Sequence, residues 1–343
     1  MASHSRHEPT VSARLPLKAS IRFNNDLPVA RFARMAALAE QEGFDQIWVS
    51  NDLFWRSAPV LLAAAAAATT RIAVGAGVFN PVSMHVAEIA MASASIQEVS
   101  GGRFLLGIGA GADRFLEWAG LAPRPPVART RTAIAELRAL LSGEAPAGWS
   151  PDGRLRIEPG LARVPIYVGA MGPRMLEMAG EVADGALPLL FPPEHFAAAA
   201  EQVALGARRA GREPGFIDVA ACVWCSIDDD RDRARRALAE KIAYYGPSFS
   251  PYLLERASIS MADFRPVMDA MSRRDEARAA DLVTPRMLSL GIAGNATEVA
   301  ERCVGLIAAG ARHISFGPPL GPDPERAVTA LGRDVLPILR AAS

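Results

Sequence analysis

Arg71-Ile72-Ala73-Val74-Gly75-Ala76-Gly77-Val78, a helical stretch from about His85 to Ser100, and then Arg103-Phe104-Leu105-Leu106-Gly107-Ile108 form the segment on which the fold turns. Both flanking runs are short and almost continuously apolar, as strands covered on both faces are. A helix between two such strands makes a βαβ unit, whose strands must pair in parallel. The same rhythm extends upstream. Ala19 to Phe23 reads as a strand, and Pro28 opens a helix with apolar residues at Phe32, Met35, Ala36, Ala39 and Gly43. Gln46 to Val49 and a helix from about Ser57 to Thr69 complete that side. Downstream come a helix from about Val127 to Ser142 and strands at Pro165–Gly169, Gly185–Leu190, Val219–Ile227 and His313–Gly317. Eight strands, nearly all followed by a helix, predict an α/β fold of the (β/α)8 TIM-barrel kind. A two-domain, doubly wound sheet is the alternative, and no Pro/Gly/Ser linker divides the chain into halves to support it. The expected organisation is a disordered head at 1–14 and one barrel domain over 15–343. Insertions are expected near 143–164 and 246–285, the second as a lid over one barrel end.

The chain has 343 residues, 50% hydrophobic and 22% charged, with 37 basic against 37 acidic residues. That balance argues against nucleic-acid or membrane-surface binding, both of which favour a basic excess. Three cysteines suit a reducing cytoplasm better than a disulfide scaffold. Met1 to Arg14 has no apolar core of a signal peptide. The alanine run Ala63 to Ala68 sits between Arg56 and Arg71 and is too short to span a membrane.

Three glycine-bearing strand ends are candidate site elements. Gly107-Ile108-Gly109-Ala110-Gly111-Ala112 fits a dinucleotide fingerprint literally, but Leu121-Ala122-Pro123-Arg124-Pro125-Pro126 cannot supply the strand which that fold needs next. A close-approach loop at the C-terminal, catalytic end of strand four is the better reading. Gly169-Ala170-Met171-Gly172-Pro173-Arg174 leaves a strand and enters a helix at Pro173. Free N–H groups there attract an anion, to which Arg174 adds charge; an ordinary βα turn is equally compatible. Gly75-Ala76-Gly77-Val78-Phe79-Asn80-Pro81 permits either a flat ligand's approach or a simple bend at the rim.

Other features read as structural. Cys222-Val223-Trp224-Cys225 lies within a strand, where positions three apart face opposite ways, so both cysteines are expected to pack. Cys303 shares a helical stripe with Val299, Leu306 and Ile307. His195 and His313 have no ligand set around them, and no metal site is expected. Asp52, beside Phe54 and Trp55 just past strand two, and Asp113 and Glu117, past strand four, are candidate catalytic acids. Capping of the following helix is the competing role for such carboxylates.

Taken together, these residues resemble the bacterial-luciferase-like superfamily of flavin and deazaflavin oxidoreductases, and within it the methylene-tetrahydromethanopterin reductases. The resemblance runs from Ile21 to Leu339. It rests on Gly75 to Pro81, on Glu98-Val99-Ser100-Gly101-Gly102-Arg103 leading into Gly107 to Gly111, on Ala183-Asp184-Gly185-Ala186, and on Gly317-Pro318-Pro319-Leu320-Gly321-Pro322-Asp323-Pro324. It implies a (β/α)8 barrel, a homodimer, and a cofactor at the C-terminal face. It implies a cis peptide between Gly77 and Val78 that backs the cofactor ring, with Asn80, Gly109, Ala110 and Gly111 beside it. It also implies a cofactor phosphate held by Ala170, Met171, Gly172 and Arg174, and a carboxylate near the ring in Asp52. Many relatives carry Asp-His where this chain has Asp52-Leu53, and an acid one place before Asp113.

The expected function is therefore hydride transfer between coenzyme F420 and a methylene-tetrahydropterin. Asp52 would act electrostatically, Asp113 or Glu117 would supply a proton, and Arg174 and Arg286 would offset the anionic cofactor tail. The alternatives are an FMN-dependent monooxygenase, weakened by the histidine that Leu53 replaces, and a non-catalytic barrel that carries flavin or pterin.

Overall fold

The computed structural model describes residues 16–122, 124–157, 163–246, 249 and 251–343; the expected disordered head at 1–14 lies outside them. Ten strands are present: β1 (Lys18–Phe23), β2 (Gln46–Val49), β3 (Ala73–Phe79), β4 (Phe104–Ile108), β5 (Ile166–Ala170), β6 (Gly185–Pro188), β7 (Asp218–Val219), β8 (Ala221–Ile227), β9 (Ile292–Gly294) and β10 (His313–Leu320). All pair in parallel in the order β7-β6-β5-β4-β3-β2-β1-β10-β8-β9. The helices between them are α1 (Val29–Gln41), α2 (Ala58–Ala67), α3 (Val86–Val99), α4 (Asp113–Trp118), α5 (Pro126–Leu141), α6 (Pro173–Val182) and α7 (Phe196–Arg209). After β8 come α8 (Arg231–Tyr245), α9 (Pro251–Arg256), α10 (Arg265–Ser272), α11 (Glu276–Asp281) and α12 (Pro285–Leu288), and then α13 (Ala296–Ala308), α14 (Pro324–Ala330) and α15 (Leu336–Ala342).

The expected strands form, but the sheet holds ten strands rather than eight. The run Val219–Ile227 is interrupted at Ala220, whose carbonyl takes the N–H of Cys222 at 2.9 Å. That tight turn separates β7, paired to β6, from β8, paired to β10. The addition is β9, three residues long and too short to leave a periodic signature. The sheet curls enough for its two sides to meet. Leu190 donates its N–H to the Cys222 carbonyl at 2.9 Å, and Leu189 bridges Cys222 in parallel.

Three apolar cores result. The larger lies between sheet and helices and includes Ile21, Ile47, Val74, Phe104, Val168 and Val223. Inside the curl, Trp48, Leu105, Tyr167, Leu187, Ala220 and Cys222 pack on one another. A separate core, built on Leu238, Ile242, Phe249, Leu254, Phe264 and Met287, holds α8 to α12 together and seats them on Phe191 and Trp224. That excursion leaves the sheet at Ile227 and returns at Ile292, since Cys225–Ile227 pair with Ile292–Gly294. It thus sits over the C-terminal strand ends and begins at α8, earlier than the stretch 246–285 suggests. Residues 143–157 carry neither helix nor strand. Among the described residues no helix is long and apolar enough to cross a membrane.

Arg103 shows how one motif serves the fold. Its Nε donates to Ser100 O (2.7 Å), Nη1 to Ile72 O (2.6 Å) and Thr69 Oγ1 (3.0 Å), and Nη2 to Ala66 O and Thr69 O (both 2.9 Å). All five N–H groups of the guanidinium are engaged, so Gly101-Gly102-Arg103 ties the end of α2 to the turn after α3.

Candidate active site

The C-terminal ends of β3, β4 and β5 meet in a platform built from glycines. The Gly77–Val78 peptide is cis, and the β3–β4 register slips between Ala76 and Phe79. The slip sends Val78 across the neighbouring strands. A Cβ on Gly109 would lie 2.9 Å from Val78 Cγ2, and one on Gly169 would lie 2.9 Å from Val78 Cγ1. A Cβ on Gly107 would fall 2.1 Å from the Ala76 carbonyl oxygen. The glycines therefore admit this chain's own Val78 and β3 backbone. Asn80, nearly buried, accepts the Val82 N–H at 2.8 Å and donates to the Ala110 carbonyl, which pins the strand-four loop. Gly111 completes that loop in the left-handed region, at φ 65°.

A group of charges gathers from β1, the loops after β1 and β2, and α8. Asp52 is half-buried, and burial raises its pKa against the pull of the Ser50 hydroxyl (3.3 Å) and of Lys241. It does not cap α2. The N-cap residue is Ser57, and Asn51 Oδ1 accepts the Ala58 N–H at 3.1 Å. Lys241 lies on the face of α8 that carries Tyr245 one turn later. Its ammonium is 4.1 Å from the Tyr245 ring centroid, 5.5 Å from that of Trp224, and 3.4 Å from Asn24 Oδ1. Burial brings its pKa down to about 8; Asp26 and Asp52 oppose the shift and Arg22 adds to it. Burial likewise pushes Tyr245 up to about 12.

Arg22 is held from below by a ladder of side chains on β1 and β10 that ends on Asp218 of β7 and Tyr167 of β5. Asp218 accepts from Lys18 (2.9 Å) and from Tyr167 Oη (2.9 Å), and it contacts His313 Nδ1 at 3.1 Å. His313 Nε2 meets Ser20 Oγ at 2.8 Å, and Ser20 donates to Ser315 Oγ at 2.7 Å. Arg22 donates Nε to Ser315 Oγ (3.1 Å) and Nη2 to Val223 O (2.8 Å). The His313 contact and the Lys18 ammonium hold Asp218 far below the ordinary carboxylate range, despite its burial. A Cβ on Gly317 would lie 2.3 Å from Arg22 Nη2, which accounts for that glycine before Pro318-Pro319.

At β5, Gly172 is the N-cap of the ten-residue α6, and nothing lies within 4 Å of the space its Cβ would fill. Met171 and Arg174 are exposed beside it. The open cradle of backbone N–H groups fits a phosphate, and the platform of Val78 fits a flat ring. The remaining candidates are solvent-exposed, and one of them, Asp113, borders the platform at Asn80. Asp113 and Glu117 are both exposed on α4; Asp113 lines a small pocket with Asn80, Arg124 and Arg129. Arg286 is exposed and donates to Ser258 O at 3.1 Å. Cys222 packs inside the curl and Cys225 on the helix side, so the pair does face opposite ways, and burial raises both thiols. Among the described residues no cluster of three His, Cys, Asp or Glu could hold a metal.

Sequence reasoning missed Arg22, Trp224, Lys241 and Tyr245 as members of the site. A cue for one of them was available, because the whole chain has two lysines, Lys18 and Lys241.

Comparison with known proteins agrees with this architecture. Residues 8–313 match the family described as luciferase-like monooxygenase. The chain is 35% identical to a 5,10-methylenetetrahydromethanopterin reductase of Methanolobus tindarius, over 92% of this chain and 98% of that protein. It is 33% identical to the protein of that name from Archaeoglobus fulgidus, over 94% and 100% of the two chains. The solved structure of the coenzyme F420 dependent tetrahydromethanopterin reductase from Methanopyrus kandleri superposes with a TM-score of 0.84 at 28% identity, covering 94% of this chain and 99% of that one. The chain belongs to the luciferase-like monooxygenase family.

Proposed function

We propose that this protein is a reductase that uses coenzyme F420 to pass hydride to a methylene-tetrahydropterin, working as a cytoplasmic homodimer. In this reading the fold is a closed (β/α)8 barrel, in which β7 and β8 count as one interrupted strand and β9 is an accessory. One observation carries the function: near end-to-end identity above 30% with reductases of that name. The site is compatible with it. Bound deazaflavin supplies a hydride, because carbon stands where a flavin has its reactive nitrogen.

This chain's own residues would do the rest. Val78 and the glycines under it would support one face of the ring, and Asn80 would fix the loop at its edge. The N-terminus of α6, with Gly172 and Arg174, would hold the phosphate. The α8–α12 cap would exclude water, and Asp52 would set the electrostatics of the site.

Binding decides between this reading and the FMN-dependent monooxygenase. We expect coenzyme F420 to bind at least about tenfold more tightly than FMN, about 1.4 kcal/mol, in parallel fluorescence titrations. Equal or tighter FMN binding overturns the deazaflavin reading. The phosphate cradle has its own test. Gly172→Asp is expected to weaken coenzyme F420 binding by about tenfold with no change in unfolding midpoint, since the new carboxylate enters open space and opposes an anion. Unchanged affinity would move the phosphate elsewhere.

A further inference from the structure

The least expected member of the charged group around Asp52 is an amine. Of the 37 basic residues only two are lysines, so the chain meets almost every need for a cation with arginine. Arginine keeps its charge at any physiological pH and forms planar, fork-like contacts. A lysine differs in one chemical respect that matters here: its ammonium can give up a proton and recover it. Lys18 stands at the far end of the ladder, bound to Asp218. Lys241 stands at the ends of β1 and β8, beside Asn24 and Trp224, where its burial makes proton release accessible near neutral pH.

Geometry supports a working role. Lys241 reaches over the strand ends from α8, the helix that opens the cap. The adjoining side of α8, Leu238, Ala239, Ile242 and Ala243, is buried in the cap core, so the helix is fixed there. The Tyr245 and Trp224 rings flank the amine, and Asn24 is the polar atom nearest to it among its described contacts. The charges that act on it come from β1 and the loop after it (Arg22 and Asp26) and from the loop after β2 (Asp52). Burial makes the ammonium more acidic and Arg22, anchored on Ser315 and Val223, adds to this; the two carboxylates keep it protonated. The opposed pulls leave an acid matched to neutral pH. Asp113 and Glu117, the acids that the sequence suggests, are exposed on α4.

We propose that Lys241 is the catalytic proton donor, protonating the substrate nitrogen from which the one-carbon unit is released. This rests on the reductase reading above. In a methylene-tetrahydropterin one carbon bridges two nitrogens. The proton passes from Nζ to one of them as its bond to the bridging carbon breaks, with the bonding pair remaining on that nitrogen. The carbon, now two electrons short, takes the hydride supplied by the reduced deazaflavin. The substrate is thereby reduced by two electrons and the cofactor oxidised by two. The neutral amine regains its proton from the one that cofactor oxidation sets free.

The test has two parts. Competitive acylation of the cofactor-free protein across pH, read by mass spectrometry of the Lys241 peptide, reports the amine's titration directly. The scarcity of lysine makes that signal unambiguous. A midpoint near 8 is expected, moving down in Asp52→Asn. A midpoint at the ordinary lysine value of about 10.4 overturns the proposal. Turnover forms the second part. Lys241→Met and Lys241→Arg are both expected to lose about a hundredfold or more in kcat while binding coenzyme F420 with nearly wild-type affinity. Arg retains charge and bulk but cannot donate, so full activity in Lys241→Arg overturns the proposal alone. Failure of the wild-type protein to bind coenzyme F420 overturns the cofactor reading and the proposal with it.

Discussion

Asp52→Asn is expected to lower kcat about a hundredfold, close to 3 kcal/mol of transition-state stabilisation, while the unfolding midpoint stays within about a degree or rises. The two halves of that expectation have separate causes. Asn51 and Ser57 begin α2, so no cap is lost when Asp52 changes. Asparagine keeps an oxygen for the Ser50 hydroxyl and removes only the charge. That charge is unfavourable to the fold, because burial raises the Asp52 pKa above its unfolded value. Between those two values the native state binds more protons than the unfolded chain, so stability falls as pH rises through the window. Above that window the cost is fully present and Asn relieves it; below it wild type and variant converge. The carboxylate is retained against this cost, within electrostatic reach of Lys241. Comparing kcat at saturating cofactor with thermal unfolding across pH separates the two effects. A near-normal rate would leave Asp52 no catalytic role.

How far the sequence could be read follows from which forces are local. Alternation of apolar runs with helical stripes is a local signal, so β1 to β6, β8 and β10 stand close to their expected bounds. Ala220 and β9 were illegible for opposite reasons. The break at Ala220 depends on which partner strand lies on each side, and β9 is held by three pairings to β8 rather than by any pattern of its own. In the site, the glycines were visible, but what approaches them was not. Val78 fills the space at Gly109 and Gly169, and only the fold brings β3 and β5 to either side of β4. Asp52 was legible because it follows a strand directly. Lys241 was not, because α8 crosses back over the strand ends, and that return is set by the cap's core around Phe191 and Trp224. Arg22 lies within a strand whose alternation marks its position as inward-facing; nothing local shows that Gly317, nearly three hundred residues later, makes room for it.

Gly107→Ala is expected to cost about 3 kcal/mol of stability and to abolish measurable cofactor binding at concentrations that saturate the wild type. The added methyl would sit 2.1 Å from the Ala76 carbonyl oxygen and 3.2 Å from both the Ala76 carbonyl carbon and Val78 Cγ1. A clash with a flexible side chain can be relieved by a rotamer change. This one is with backbone, in the middle of a parallel pair whose next link is Gly109 N–H to Phe79 O at 3.1 Å. β3 and β4 must therefore separate where the register already slips, and Val78 moves with them off Gly109 and Gly169. Stability and binding fall together because the strand pairing and the platform are the same atoms. Gly305→Ala provides the control, because that glycine lies within α13 with nothing inside 4 Å of its Cβ position. It should be neutral or stabilising by up to about 1 kcal/mol, as expected for alanine in a helix interior. Denaturant unfolding and coenzyme F420 titration of both variants decide the matter. If Gly107→Ala matched Gly305→Ala in both assays, the contact between β3 and β4 would not constrain the site, and the support for the cofactor ring would have to come from another part of the cavity.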